Sequence, residues 1–164
     1  TALQTGRVDA FAWSEPVLTR AETDGVAFVL VNIFEREVAR RWLGSERVLS
    51  NVLTTTEGVI RSNPELVGAM VRAIQKALVY IRSHSDEELV RVVLRNPKSA
   101  QAFQGVEPEL AAKMIRRIRG GYGTGCLSRA GYEVELKRML ETGLLKQAVS
   151  FEEATEPRWA GTCE

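Results

Sequence analysis

The chain has 164 residues, 45% of them hydrophobic and 26% charged, a globular balance with enough apolar material for one real core. With 22 basic and 21 acidic residues it carries no charge excess that would suggest a nucleic-acid or membrane-surface partner. No apolar run approaches the roughly 20 residues needed to cross a bilayer, and Cys126, Cys163 and the lone His84 have none of the spacing of a zinc site.

Residues 1–5 read as a helix end stopped by Gly6. The chain opens on Thr1 rather than Met, in sequence that reads as mid-domain, so we expect a piece of something longer, with any export signal out of view. Residues 8–13, VDAFAW, form an apolar run bounded by turn signals, which predicts a strand buried on both faces. Ser14, Glu15 and Pro16 would follow at its C-terminal end, the edge where open α/β sheets bind ligands. Pro16 suits the first turn of a helix over 16–23, with Ser14 or Glu15 as its cap. The plainer reading of this stretch is a buried strand running into a capped helix with no further role.

Asp24-Gly25 is a turn, and residues 26–31, VAFVLV, read as a second buried strand. Strand, helix, strand with tight turns is the rhythm of a parallel sheet. Residues 34–43 are charged with apolar positions near helical spacing, a short helix or ordered loop in which Trp42 reads first as a core anchor and second as a ligand-stacking residue. Residues 48–56, VLSNVLTTT, are β-branched and predict a third strand.

Asn63-Pro64 then opens the clearest helix, with Leu66, Val67, Met70, Val71, Ile74, Ala77, Leu78 and Ile81 as one broad apolar stripe. Ser85 to Glu88 is a capping box for a helix running to about Leu94, ended by Asn96-Pro97. Residues 108–119 read as a helix carrying a basic cluster, Lys113, Arg116, Arg117 and Arg119, expected to be a solvated face that complements the helix dipole. The glycines of residues 120–125 follow a helix and lack the G-x-G-x-x-G spacing, so they read as a helix stop and connection rather than a phosphate cradle. Residues 132–142 predict a last helix stopped by Gly143, and Trp159 and Cys163 lie in a tail that either packs or frays. Cys126 and Cys163 allow a disulfide or two free thiols equally. No catalytic motif stands out: there is no nucleophile elbow, no zinc-protease motif and no Walker loop. No cofactor or metal is expected.

Several of these stretches together resemble the NitT/TauT class of ABC-transporter substrate-binding proteins, the SsuA/THI5-like group related to sulfonate-, taurine-, nitrate- and thiamine-precursor-binding proteins. Thr5-Gly6-Arg7-Val8-Asp9-Ala10 with Glu15-Pro16 resembles the family's glycine–aspartate–alanine stretch and its acid–proline pair. Residues 52–57, then Asn63-Pro64-Glu65-Leu66-Val67 and the helix over 69–80, resemble its block of strand, short helix, N-P-E-L-V and long helix. Residues 140–145 and 149–153 resemble its tail.

The resemblance covers the C-terminal half of the family's length. It implies a helix-rich α/β fragment of a periplasmic-binding-protein-like (type II) two-lobed fold with a few mostly parallel strands. Residues 1–47 would be a remnant of the second lobe and the hinge approach, and residues 48–164 the C-terminal part of the first lobe with a helical tail. The implied function is non-catalytic: a small solute held between two lobes, in the periplasm or another extracytoplasmic space, and offered to permease and ATPase subunits. Trp13, Ser14 and Glu15 are the expected ligand contacts, with Thr54 and Thr55 as weaker ones. Unpaired strand edges of such a fragment would invite homodimers. Two other readings stand beside this one. The first is a THI5-like pyrimidine-precursor synthase, whose relatives lean on histidines and cysteines not found here. The second is a helical interaction module, against which the three apolar runs argue.

Overall fold

In the computed structural model, which describes residues 2–47, 49 and 51–163, helices begin where the sequence places start signals. Ser85 Oγ accepts from the backbone N–H of Glu88 at 3.2 Å while Glu88 returns to the N–H of Ser85 at 2.9 Å, and α5 runs Asp86–Arg95 from that reciprocal cap. Asn96 Oδ1 accepts from Lys98 and Ser99 and opens the short α6, Pro97–Ala102, which the sequence reading did not separate out. Pro108 stands first in α7, Pro108–Arg119. These helices, with α1 (Val17–Thr23), belong to one compact unit made of Thr1–Asn32 and His84–Gly120. Its core is the α5–α7 face of Leu89, Val90, Ala111, Ala112, Met114 and Ile115, against which α1 sets the fully buried Thr19. Thr1, in the helix end expected at 1–5, lies outside the described residues; residues 2–6 form turns that close on Gly6 at φ 66°.

A second unit comprises Ile33–Ser83 and Gly121–Glu164. It holds α2 (Arg36–Leu43), α3 (Glu57–Ser62), α4 (Pro64–Ser83), α8 (Arg129–Glu141) and α9 (Phe151–Ala154). Two-residue strands β1 (Leu127–Ser128) and β2 (Thr162–Cys163) pair in parallel. Ser128 ends β1 and caps α8, its Oγ accepting from Gly131 N–H at 3.1 Å. The Phe151 ring meets Tyr132 edge-on at 5.5 Å and lies 4.4 Å under the Arg129 guanidinium. A disulfide joins Cys126 to Cys163 and decides between the two thiol states the sequence left open. By loop-entropy arithmetic, closing a loop of that size stabilises the fold by about 4 kcal/mol. The tail therefore packs: Trp159 rests on Gly68 of α4, where a Cβ would come 2.8 Å from the indole Nε1. The changes of unit fall after residues 32, 83 and 120.

The fold is helix-rich with a small parallel sheet, and the three strands expected at 8–13, 26–31 and 48–56 are not formed among the described residues; Val48 and Ser50 of the third lie outside them. Residues 8–13 are irregular and exposed, with Trp13 at 69%. In the second run Phe28 and Leu30 are 75% and 74% exposed while Val29 between them is half-buried. The physical reason is that an apolar run supplies only half of a strand. The other half is a neighbour that takes its backbone hydrogen bonds, and no described segment does so.

Two further expectations change. Trp42 is exposed rather than a core anchor, because α2 buries Ala39 on its inward face. The broad α4 stripe is only partly covered: Val67 is buried, whereas Leu66, Met70 and Ile74 are exposed. Among the described residues no helix is long and apolar enough to cross a membrane. Replacing Ser85 with Ala should remove about 1 kcal/mol from the first unit, read as a lower urea midpoint with unchanged slope.

Candidate functional site

Residues 13–15 leave the first apolar run and enter α1 through Pro16, which occupies the N-cap position but has no side chain able to cap. The free N–H groups of the first turn therefore need an acceptor from elsewhere, and Glu15 provides it. Its Oε2 accepts from the Thr19 N–H at 3.1 Å, and its Oε1 accepts from the Thr19 hydroxyl at 2.8 Å. The expectation that Glu15 caps this helix is met, by reach from one position further out.

The same carboxylate accepts from Arg117 Nη1 of α7 at 3.0 Å, and Arg117 also donates to Thr19 Oγ1 at 2.7 Å. Arg117 Nη2 donates to Glu22 at 2.7 Å, and Lys113 Nζ pairs with the same Glu22 oxygen at 2.7 Å. The Glu15 and Arg117 side chains are only 5% and 13% exposed. The Asn32 amide donates to the Arg117 carbonyl at 3.4 Å. The C-terminal ends of both apolar runs, at Glu15 and at Asn32, are thus fastened to one residue of α7.

Of the basic cluster on α7, Lys113 and Arg116 do stand on a solvated face, Arg119 is partly covered and Arg117 alone is largely withdrawn from water, yet all four are paired with acids. Arg116 and Arg119 both bind Asp86, at 2.9 and 3.0 Å, and Lys113 and Arg117 bind Glu22. The physical reason is that acidic residues from α1 and α5 converge on the helix end, a tertiary fact that spacing along α7 does not contain. Burial works against the charge on Arg117, but the hydrogen bonds it donates to Glu22 and Glu15 outweigh it and leave the guanidinium more firmly protonated than usual. Hydrogen bonds from Lys113 and Arg117 hold the Glu22 carboxyl below its ordinary range. The hydrogen bond from Arg116, joined by one from Arg119, does the same for Asp86 against the cost of burial.

Of the five expected contacts, the structure places Trp13 and Ser14 in the open, next to a Glu15 whose carboxylate is already engaged by Thr19 and Arg117. Thr54 and Thr55 belong to the other unit, exposed in the irregular chain just before Thr56, whose hydroxyl caps α3 by accepting from Val59 N–H at 3.3 Å. Spacing alone did not single out Thr19 and Arg117; a basic residue in the last turn of an apolar helix was the only hint. A depression of about 320 Å³ on α4 is lined by Arg72, Gln75, Lys76 and Val79, all from the one helix. Among the described residues no group of three metal-binding side chains gathers.

The family described as NMT1/THI5 like matches residues 1–88, more than half of the chain, and the matched span contains all five expected contacts. No curated protein and no solved structure matches the chain.

Replacing Arg117 with Met should cost about 3 kcal/mol at pH 7, because Glu15 is left charged and unpaired in a buried place. Since Arg117 helps to depress the folded-state pKa of Glu22, that part of the stabilisation is complete above the unfolded carboxylate range and is lost as pH falls through the folded value. The penalty of Arg117→Met should shrink as pH drops below about 4, measured by denaturant titration at both ends of that window.

Proposed function

The chain belongs to the NMT1/THI5 like family, and from that premise we propose that it is the solute-binding component of an ABC importer. In this reading a small solute of the sulfonate, taurine, nitrate or thiamine-precursor class is held in the cleft of a two-lobed, type II periplasmic-binding-protein-like fold. Closure around it is a population shift driven by the solute's preference for the closed state. The closed protein is then offered to the permease and ATPase subunits outside the cytoplasm. The Cys126–Cys163 disulfide supports an oxidising compartment.

The observation that carries the reading is the pairing of an exposed indole and hydroxyl with a buried anchor. Trp13 supplies a flat apolar surface, and Ser14 supplies a hydroxyl with no hydrogen-bond partner among the described residues. Glu15, fastened by Arg117, holds both at the start of α1. That is a small, adaptable recognition surface on a rigid mount, with binding rather than bond-making chemistry. A THI5-like synthase is the second reading. The chain's two thiols are consumed in the disulfide and its one histidine stands at the α4–α5 junction, which favours binding over catalysis.

Isothermal titration of the protein with taurine, an alkanesulfonate, nitrate and an aminopyrimidine thiamine precursor tests the proposal. One of these should bind, and Trp13→Ala should weaken it roughly thirtyfold, the equivalent of about 2 kcal/mol for a lost aromatic anchor. Binding of none of the four, or an unchanged affinity in the variant, would overturn the reading.

A further inference from the structure

Arg47 faces the Cys126–Cys163 disulfide. Its Nη1 lies 2.9 Å from Cys163 Sγ and 3.4 Å from Cys126 Sγ, and no carboxylate among the described residues pairs with it. The placement is built into the backbone. The Ser45 hydroxyl donates to the Arg47 carbonyl at 2.9 Å and accepts from the Arg47 N–H at 3.1 Å. The same carbonyl comes so close to α8 that a Cβ on Gly131 would meet it at 2.6 Å. A third group, the Thr124 hydroxyl, lies 2.9 Å from Cys126 Sγ.

A neutral disulfide gains little from a guanidinium. A thiolate gains much, because an adjacent Arg lowers a thiol's pKa and makes it a better leaving group. We propose that Cys126–Cys163 is a reducible latch, opened by a protein or small-molecule dithiol, and that it holds residues 155–163 on α4. A thiolate of the dithiol attacks Cys126 Sγ; the S–S bond breaks and its electron pair leaves on Cys163 as a thiolate beneath Arg47. The second thiolate of the dithiol then attacks the mixed disulfide and expels Cys126. Two electrons pass to the protein, the dithiol becomes a disulfide, and its two protons are shared between the released sulfurs and solvent.

What the latch holds is thinly attached otherwise. β2 pairs with β1 over two residues, Leu127 N–H donates to the Gly161 carbonyl at 3.0 Å, and Gln75 reaches the Ala160 carbonyl at 3.5 Å. Trp159 covers Gly68 beside Arg72. Once Cys163 is free, this strap lifts and uncovers the Val67–Gly68 face of α4.

The test is equilibrium reduction in graded dithiothreitol buffers, scored by thiol alkylation, together with hydrogen exchange of residues 155–163. Arg47→Gln should need about tenfold more reducing conditions than the parent chain, roughly 30 mV for this two-electron couple, while Arg47→Lys stays near the parent. Reduction should raise exchange in the strap by at least tenfold, and Cys163→Ser should show that fast exchange without any reductant. Equal reduction equilibria in the parent and Arg47→Gln, or a strap that stays as protected in the reduced protein and in Cys163→Ser as it is in the oxidised parent, would overturn the proposal.

Discussion

The Arg117–Glu15 pair is the constraint on which the first unit depends. One guanidinium, almost out of solvent, reaches the carboxylate that caps α1, the hydroxyl of Thr19 and the carboxylate of Glu22. Its own carbonyl receives the Asn32 amide. A single residue of α7 thereby fixes the entry of α1 and the ends of two chain segments that have no ladder of their own. Such an arrangement costs desolvation at both charges, and the cost is offset because both guanidinium Nη atoms and the Glu15 and Glu22 carboxylates are hydrogen-bonded. Among the described residues no buried side-chain nitrogen or oxygen lacks one.

The candidate site follows from that constraint. Trp13 and Ser14 are exposed and carry few contacts, yet the residue next to them is among the most firmly held in the unit. Under the proposed function, Trp13 and Ser14 would be recognition groups on a loop with a rigid mount, the usual division of labour between a binding loop and its scaffold. The second unit solves a related problem by covalent means. Its C-terminal strap has little apolar area to bury, so a disulfide and the seat of Trp159 on Gly68 keep it in place.

The apolar runs at 8–13 and 26–31 remain the chain's largest departure from local expectation. They carry the composition of buried strands and the strand–helix–strand order, and their C-terminal ends do meet at Arg117. Among the described residues they have no strand partners along their length. Phe28, Leu30 and Trp13 therefore face water, an arrangement with a real hydrophobic cost.

Local sequence determined the helices. Ser85 with Glu88, Asn96-Pro97 and Pro108 act within one turn of chain, so α5, α6 and α7 begin where those residues stand. Family membership was legible too, in short stretches such as 5–16 and 63–67 whose order along the chain carries the resemblance. Tertiary structure alone decided whether an apolar run became a strand, because strand formation needs a second segment that no local window contains. It also decided that the Glu15 carboxylate is bound by Thr19 and Arg117, that the α7 cations are paired, and that Cys126 meets Cys163 beside Arg47. Each of these joins residues distant in sequence, and the energy of such contacts depends on distance and burial in space, which spacing along the chain does not record.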